Sequence, residues 1–249
     1  MFQEVGDRIF RRRFDRLDQN IGVIVGDEAV CVVDSRSNHP DADELRTELA
    51  ELTDLPVRFL VNTHMHWDHT FGNARFPEAT IVGHRDCRRR LLEDGETMKQ
   101  TLRTATWIPE GQRHLFSDVH ITPPTVTFAT SIELHLDHRR IVLRYHGRGH
   151  TDNDITIHVD EVCFAGDLVE EGAPPSFGDS FPAEWVTTLD ALADDLPAVV
   201  VPGHGDVVNP EFVRTQRDEI DAAIRFLRGG HGSAPWSEPV MASIAERLG

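Results

Sequence analysis

The sequence is poor in lysine, tyrosine and cysteine, and acidic residues strongly outnumber basic ones. Among 249 residues there are one lysine, one tyrosine and three cysteines, and Asp and Glu exceed Lys and Arg by 42 to 25. The net charge of −17 disfavours nucleic acid and anionic membranes as partners, because an acidic surface repels both over a Debye length of about 8–10 Å. We therefore expect a small-molecule substrate, no nucleic-acid partner and no membrane partner. Assembly into a homo-oligomer stays open.

Disulfide scaffolds and membrane-spanning segments are not predicted. Cys31, Cys87 and Cys163 are far apart and odd in number, and two of them lie inside apolar runs, which is typical of small buried side chains in a reducing compartment. No run of about 18 apolar residues occurs, and the charged N-terminal stretch does not resemble a signal peptide. These features predict a cytoplasmic protein.

The order of predicted elements indicates an α/β fold with two similar halves. Predicted strands cover 5–10, 21–25, 29–34, 57–61, 79–82, 125–128, 132–136, 140–146, 155–159, 162–166 and 198–201. Predicted helices cover 41–52, 85–104, 182–196 and 210–227, and 105–124 is the longest irregular segment. Each half contains strands, a helix and a short apolar strand that ends near histidine, VRFLVNTH and AVVVPGH. We predict one domain over 1–228 and a C-terminal tail, 229–249, that packs on it or extends from it.

The strongest functional motif is His-Met-His-Trp-Asp-His at residues 64–69, directly after a predicted strand. In extended backbone His64 and His66 share a face, so both can bind one ion. A turn after them would direct Asp68 and His69 to a neighbouring position. Because one ion cannot comfortably accept all four ligands from so short a segment, the spacing favours two adjacent metal ions.

Three further metal-ligating side chains follow apolar strands in the second half of the chain. They are His150 in GRGHTDND, Asp167 at the end of VCFAGD and His204 at the end of VVVPGHG. Taken singly, each is equally well explained as a turn, cap or loop residue. Together, at three strand ends, they favour ligands that complete the two metal positions.

This set of residues resembles the metallo-β-lactamase superfamily over roughly residues 5–228. The residues that carry the resemblance are Asp34, the segment 64–69, His150, Asp167 and His204. The resemblance implies a four-layered αβ/βα sandwich with the metals at one edge. It also implies a first metal held by His64, His66 and His150, and a second held by Asp68, His69 and His204, with Asp167 bridging them. Asp34 would orient one of the ligands.

The same resemblance implies a metal-dependent hydrolase that cleaves a small ester, lactone, thioester or amide with a metal-bridging hydroxide. Two Zn²⁺ per chain are expected, and iron or manganese are open alternatives. Asp68 would be the catalytic residue that orients the nucleophile and moves its proton. Two other functions are weighed: a mononuclear iron enzyme like persulfide dioxygenases, using His64, His150 and Asp167, and a non-catalytic metal-binding pathway partner.

Substrate preference is less well defined by the sequence. The best-known β-lactamases of the superfamily have a lysine where this chain has Glu170, and a negative charge there is unsuited to the β-lactam carboxylate. Trp67, Trp107, Phe177 and Phe181 are predicted to wall the substrate pocket, with a place in the core as the equal alternative. The other nine of the 14 histidines show no ligand pattern.

Overall fold

The computed structural model describes residues 1–249, with twelve strands and seven helices. The strands are β1 (Gln3–Gly6), β2 (Ile9–Phe14), β3 (Gln19–Val25), β4 (Val30–Val33), β5 (Val57–Val61), β6 (Thr80–His84), β7 (Val126–Phe128), β8 (Ser131–Leu136), β9 (Arg139–Tyr145), β10 (Ile155–Val159), β11 (Val162–Glu170) and β12 (Val199–His204). The helices are α1 (His39–Leu52), α2 (Trp67–Thr70), α3 (Arg85–Thr104), α4 (Glu110–Arg113), α5 (Pro182–Ala193), α6 (Pro210–Leu227) and α7 (Glu238–Leu248).

Two sheets, one from each half of the chain, meet at a single residue pair. The first has the order β7-β6-β5-β4-β3-β2-β1, and the second has the order β12-β11-β10-β9-β8. Gln19 of β3 pairs with His204 of β12, and this is the only strand pairing between the two sheets. A candidate metal ligand therefore lies at the junction of the halves.

The strand sequences explain why the sheets form layers. Side chains alternate along a strand, so both faces of an apolar strand must be covered. In β3, Ile21 and Val23 pack towards Leu45 of α1, whereas Ile24 packs between the two sheets with Ile157 of β10. In the second half the outer layer consists of α5, α6 and α7. The predicted αβ/βα sandwich of two similar halves is confirmed.

Most predicted elements have the expected limits, but two predicted strands need correction and α7 was not predicted. β11 continues to Glu170, so Asp167 lies within this strand and not at its end. The strand predicted over 5–10 is interrupted by a turn at Arg8, whose φ of 56° is left-handed, so β1 and β2 form a hairpin. The Gly-, Pro- and Ser-rich start of the tail concealed α7, which contributes Met241 and Ile244 to the core formed with α5 and α6. No helix combines the length and apolar character needed to cross a membrane.

Candidate metal centre

The motif at 64–69 folds as a loop followed by one helical turn. β5 ends at Val61, and α2 begins directly after His66, whose backbone is still extended (φ −63°, ψ 151°). The carbonyl of His66 accepts hydrogen bonds from the backbone N–H groups of His69 and Thr70, both at 3.1 Å. This change from extended to helical backbone directs the first two histidines and the following Asp68 and His69 to different positions, as the spacing predicts.

The first group of ligand atoms comes from both halves of the chain. His66 Nδ1 lies 3.0 Å from His64 Nε2 and 2.8 Å from His150 Nε2. Asp167 Oδ2 lies 3.6 Å from His64 Nε2 and 3.4 Å from His150 Nε2. All four ligand atoms lie within 4.8 Å of one another, which is close enough to surround a single ion.

The second group lies beside the first. His69 Nε2 and His204 Nε2 are 3.3 Å apart, and Asp68 Oδ2 lies 3.4 Å from the former and 3.3 Å from the latter. Asp167 takes part here too, with Oδ1 3.3 Å from His69 Nε2 and Oδ2 3.3 Å from His204 Nε2. The structure therefore brings together all seven predicted ligands and places Asp167 between the two groups.

Asp34 orients two of the histidines. His69 Nδ1 donates to Asp34 Oδ2 at 2.8 Å, and Thr63 donates to Asp34 through both its backbone N–H and its hydroxyl, each at 2.8 Å. The Thr63 hydroxyl in turn accepts from His64 Nδ1 at 3.0 Å. Burial raises the pKa of Asp34, although His69 and Thr63 act in the opposite direction. Asp34 thus has the orienting position predicted for it.

Asp179 has the same function for His66 and was missed by sequence reasoning. Both of its carboxylate oxygens face His66 Nε2, at 3.1 and 3.0 Å. The residue lies in the irregular segment before α5 and has no pattern that links it to a histidine 113 positions earlier in the chain. Only the fold brings the two side chains together.

Backbone carbonyls orient the remaining two histidines. His204 Nδ1 donates to the carbonyl of Leu17 at 2.7 Å, and His150 Nδ1 donates to the carbonyl of Ser176 at 3.2 Å. Carbonyl oxygens only accept hydrogen bonds, so these outward nitrogens carry the protons. The inward nitrogens then present lone pairs to the centre.

The residues fit two divalent cations on grounds of their own chemistry. Unprotonated imidazole nitrogens repel one another at 2.8–3.3 Å unless a proton or a cation lies between them. Asp167 Oδ1 is buried and has no hydrogen bond, although it faces His69. A donor set of imidazole and carboxylate suits zinc and related transition metals.

The charges of the centre also favour cations. Burial lowers the pKa of His69 and His204, but the surrounding carboxylates, Asp167 first among them, outweigh this and raise both pKa values well above the ordinary range. The same histidines hold the pKa of Asp167 well below its usual value despite burial. Metal binding at these residues would therefore displace protons.

A glycine allows the close approach of β12 to Asp167. A Cβ atom on Gly203 would lie 1.8 Å from Asp167 Oδ1 and 2.9 Å from the backbone carbon of Gly166. No side chain fits there without moving the carboxylate. The absence of a side chain at Gly203, directly before His204, therefore allows the Asp167 carboxylate to lie between the two ligand groups.

Comparison with known proteins agrees with this geometry. The family model described as the metallo-beta-lactamase superfamily matches residues 14–204, a span that contains every ligand described above. The chain belongs to the metallo-β-lactamase superfamily. A search of curated proteins found no significant match to this superfamily member.

Solved structures share the metallo-β-lactamase fold at low sequence identity. A metallo-beta-lactamase from Pontibacter korlensis has a TM-score of 0.72 and 16% identity, and the match covers 89% of this chain and 98% of that one. The mono-zinc form of the metallo-beta-lactamase FIM-1 from Pseudomonas aeruginosa has a TM-score of 0.68 and 17% identity, over 90% and 95% of the two chains. At such identities the likeness shows the fold alone.

The metal centre opens into a cavity of about 1100 Å³. Trp67, Trp107 and Phe181, three of the four aromatic residues predicted to wall the pocket, line it. Phe177 does not line it, and this prediction needs correction. The Phe177 ring packs between Trp185 and Trp236, against the core formed with α5, α6 and α7, and only 3% of the residue is exposed. The sequence around Phe177 has no feature that shows whether its ring faces the cavity or the core.

Outside the centre, one further group of potential metal ligands lies close together, namely His146, His158 and Asp195. His146 Nε2 and His158 Nε2 both contact the hydroxyl of Thr156, at 3.0 and 2.8 Å, and Asp195 lies nearby. Arg144 forms an ion pair with Asp195 and so supplies the positive charge at this carboxylate. The cluster therefore does not resemble the carboxylate-rich metal centre.

Proposed function

We propose that this protein is a hydrolase that uses two divalent metal ions, zinc in the first instance, to cleave a small ester, lactone, thioester or amide. The observation that carries the proposal is the position of Asp167, whose carboxylate lies within 3.6 Å of histidines of both ligand groups. A carboxylate shared in this way suits a pair of adjacent ions. The adjoining cavity supplies room for a small substrate.

The ligands would be divided as the two groups suggest. His64, His66 and His150 would hold one ion, Asp68, His69 and His204 the other, and Asp167 both. When bound, such ions supply Lewis acidity and lower the pKa of water, which provides a nucleophile at neutral pH.

Asp68 is the residue that we propose to act on the nucleophile. Its carboxylate lines the cavity, and Oδ2 lies 3.3 Å from His204 Nε2. Burial raises its pKa, but His69 and His204 outweigh this effect and keep the group a carboxylate. Asp68 can therefore accept a hydrogen bond from water, orient it and take up its proton for transfer to the leaving group.

The complete second ligand group favours this proposal over a mononuclear iron oxygenase. An enzyme of that kind would need only His64, His150 and Asp167. Here Asp68, His69 and His204 form a second set whose ligand atoms also lie within 4.8 Å of one another. A non-catalytic metal-binding function is disfavoured because the centre lines a cavity instead of being sealed in the core.

We also propose a cytoplasmic location, a small-molecule substrate and no nucleic-acid or membrane partner. Three free cysteines, all buried, fit a reducing compartment. The net charge of −17 supports the proposed lack of nucleic-acid and membrane partners. Whether copies of the chain associate is left to a measurement of mass in solution.

Metal analysis combined with a substrate panel on the same purified protein tests the proposal. We expect about two zinc ions per chain and turnover of at least one ester, lactone, thioester or amide. Asp68→Asn should lower kcat by about 10²–10⁴-fold with little change in the free energy of unfolding. Asp190→Asn is the matched control, because Asp190 is a surface residue paired with Arg217.

Two results would contradict the proposal. One is a zinc-loaded protein that turns over nothing in the panel. The other is a single iron per chain together with oxygen-dependent oxidation of a persulfide, which would establish the alternative function.

A further inference from the structure

One wall of the cavity beside the metal centre, formed by α2, α3 and the segment that follows α3, contains an apolar patch. Polar side chains of α3 line the same wall, namely Arg90, Asp94, Thr97 and Thr101. The Trp67 and Trp107 rings lie 5.9 Å apart, and Met98 and Leu102 of α3 line the same cavity. Trp107 is 61% exposed, so the packing of the core does not explain its position. An exposed aromatic residue at a cavity wall indicates contact with a ligand.

The wall on the other side of the centre carries carboxyl groups. Glu170, Glu171 and Asp179 all line the cavity, and none of them forms an ion pair with lysine or arginine. Glu171 accepts a hydrogen bond from the backbone N–H of Asp206 at 2.7 Å, and Asp179 faces His66. This wall therefore offers hydrogen-bond acceptors to a substrate, and Glu171 and Asp179 give it negative charge.

The two arginines of the cavity are already engaged with other groups. Arg90 donates to Asp152 from Nε at 3.0 Å and from Nη2 at 2.8 Å. Arg247 of α7 donates to the backbone carbonyls of Ser180 and Asp179 at 2.8 and 3.2 Å. These carbonyls carry no net charge, so Arg247 keeps its positive charge, but eight Asp and Glu residues line the cavity against two arginines and no lysine.

We propose that the cavity selects substrates with an uncharged apolar acyl group and discriminates against substrates that carry an anionic group away from the scissile bond. This inference rests on the proposed hydrolase function and specifies its substrate class. The acyl group would lie against Trp67 and Trp107, where burial of apolar surface favours binding. An anionic group would face an excess of carboxyl groups and would lose its hydration at a net cost.

Matched nitrophenyl esters test the charge preference. 4-Nitrophenyl valerate and 4-nitrophenyl hemiglutarate have acyl chains of the same length and differ in one terminal carboxylate. We expect kcat/KM to be at least about tenfold higher for the valerate ester. Glu171→Gln should narrow this difference, because it removes one negative charge from the carboxyl wall without touching a ligand residue.

An acyl-length series tests the apolar wall. In the wild type, kcat/KM should rise from acetate to octanoate esters, and Trp107→Ala should reduce the octanoate-to-acetate ratio by about tenfold. Leu92→Ala is the control, because Leu92 is 63% exposed on α3 and does not line the cavity. A Trp107→Ala ratio equal to that of the wild type would overturn the assignment of the wall.

A binding measurement separates this inference from the proposed function. Tryptophan fluorescence of the full chain as purified should report binding of 1-octanol, with at least about tenfold weaker binding of 8-hydroxyoctanoate, which has the same hydroxyl end and a carboxylate at the far end. Octanol binding that depends on Trp107, without any ester hydrolysis, would support the inference and contradict the proposed function. Ester hydrolysis that favours hemiglutarate over valerate would overturn the inference and leave the proposed function standing.

Discussion

Replacement of Asp179 by alanine tests how the fold orients its metal ligands. The Asp179 carboxylate is the acceptor for His66 Nε2, at 3.0 and 3.1 Å, and so directs His66 Nδ1 towards His64 and His150. Without this acceptor the imidazole ring can rotate and can exchange tautomers. We expect weaker binding of the ion held by these three histidines.

The expected size of the loss follows from the exposure of Asp179. Removal of a residue that orients a metal ligand commonly costs about 10- to 100-fold in metal affinity. The Asp179 side chain is 47% exposed, so water can replace part of the hydrogen bond. We therefore expect a loss of about tenfold, or about 1.4 kcal/mol, for Asp179→Ala, and a smaller loss for Asp179→Asn, which keeps one acceptor.

Zinc affinity should be measured by competition with a chromophoric chelator at about pH 9. Burial lowers the pKa of His66, but its hydrogen bond with Asp179 and the nearby carboxylates raise it to about 9 before an ion binds. At lower pH, easier deprotonation of His66 in the variant would offset part of the lost affinity.

Two control measurements accompany the zinc affinity of Asp179→Ala. Asp190→Asn, in a pair with Arg217 and far from the centre, should leave zinc affinity unchanged. Urea unfolding of Asp179→Ala should differ from the wild type by less than about 1 kcal/mol, since a half-exposed pair contributes little to stability. An affinity for zinc within about twofold of the wild type at pH 9 would refute the orienting function of Asp179.

Two further predictions concern a histidine outside the centre and a glycine within it. Burial lowers the pKa values of His146 and His158 from 6.5 to about 4. As the pH decreases from 6.5 towards 4, the unfolded chain therefore binds protons at these histidines before the folded chain does, and the free energy of unfolding should fall. In EDTA, the free energy of unfolding should decrease between about pH 7.5 and pH 5 by about 1–2 kcal/mol less in His158→Gln than in the wild type. An equal decrease in both proteins would show that His158 is not responsible for the pH dependence. Gly203→Ala should abolish stoichiometric zinc binding, because the new Cβ would lie 1.8 Å from Asp167 Oδ1, whereas Gly111→Ala, with no atom within 4 Å, should bind zinc normally. Full zinc loading of Gly203→Ala would contradict the close approach seen in the structure.

Local patterns were sufficient to predict most of the elements and the candidate ligands in residues 64–69. The helix predicted over 210–227 and the strand predicted over 57–61 have the limits of α6 and β5, because their periodicity reflects burial on one or both faces. The pair His64 and His66 was recognisable because alternate residues of an extended segment share a face. Ligand types and spacings that lie within six consecutive residues can be recognised directly in the sequence.

Interactions between distant segments were not predictable in this way. Asp179 reaches His66 across 113 residues, and His204 and His150 are oriented by backbone carbonyls, which every residue possesses. The start of the tail gave no sign that α7 packs on the second half and provides Arg247 to the segment at the cavity. Phe177 and Phe181 differ in function only because one ring faces the core and the other faces the cavity.

The amino-acid sequence by itself therefore indicated the family through a resemblance, and this resemblance implied the layered fold and the candidate ligands. The resemblance depends on residue type and on the short spacing within residues 64–69. The tertiary structure alone decided which groups orient the ligands, which aromatic residues face the cavity and which arginines are already engaged. Those properties arise where β3 meets β12 and where α7 packs on the second half, and such long-range contacts are not encoded in any local pattern.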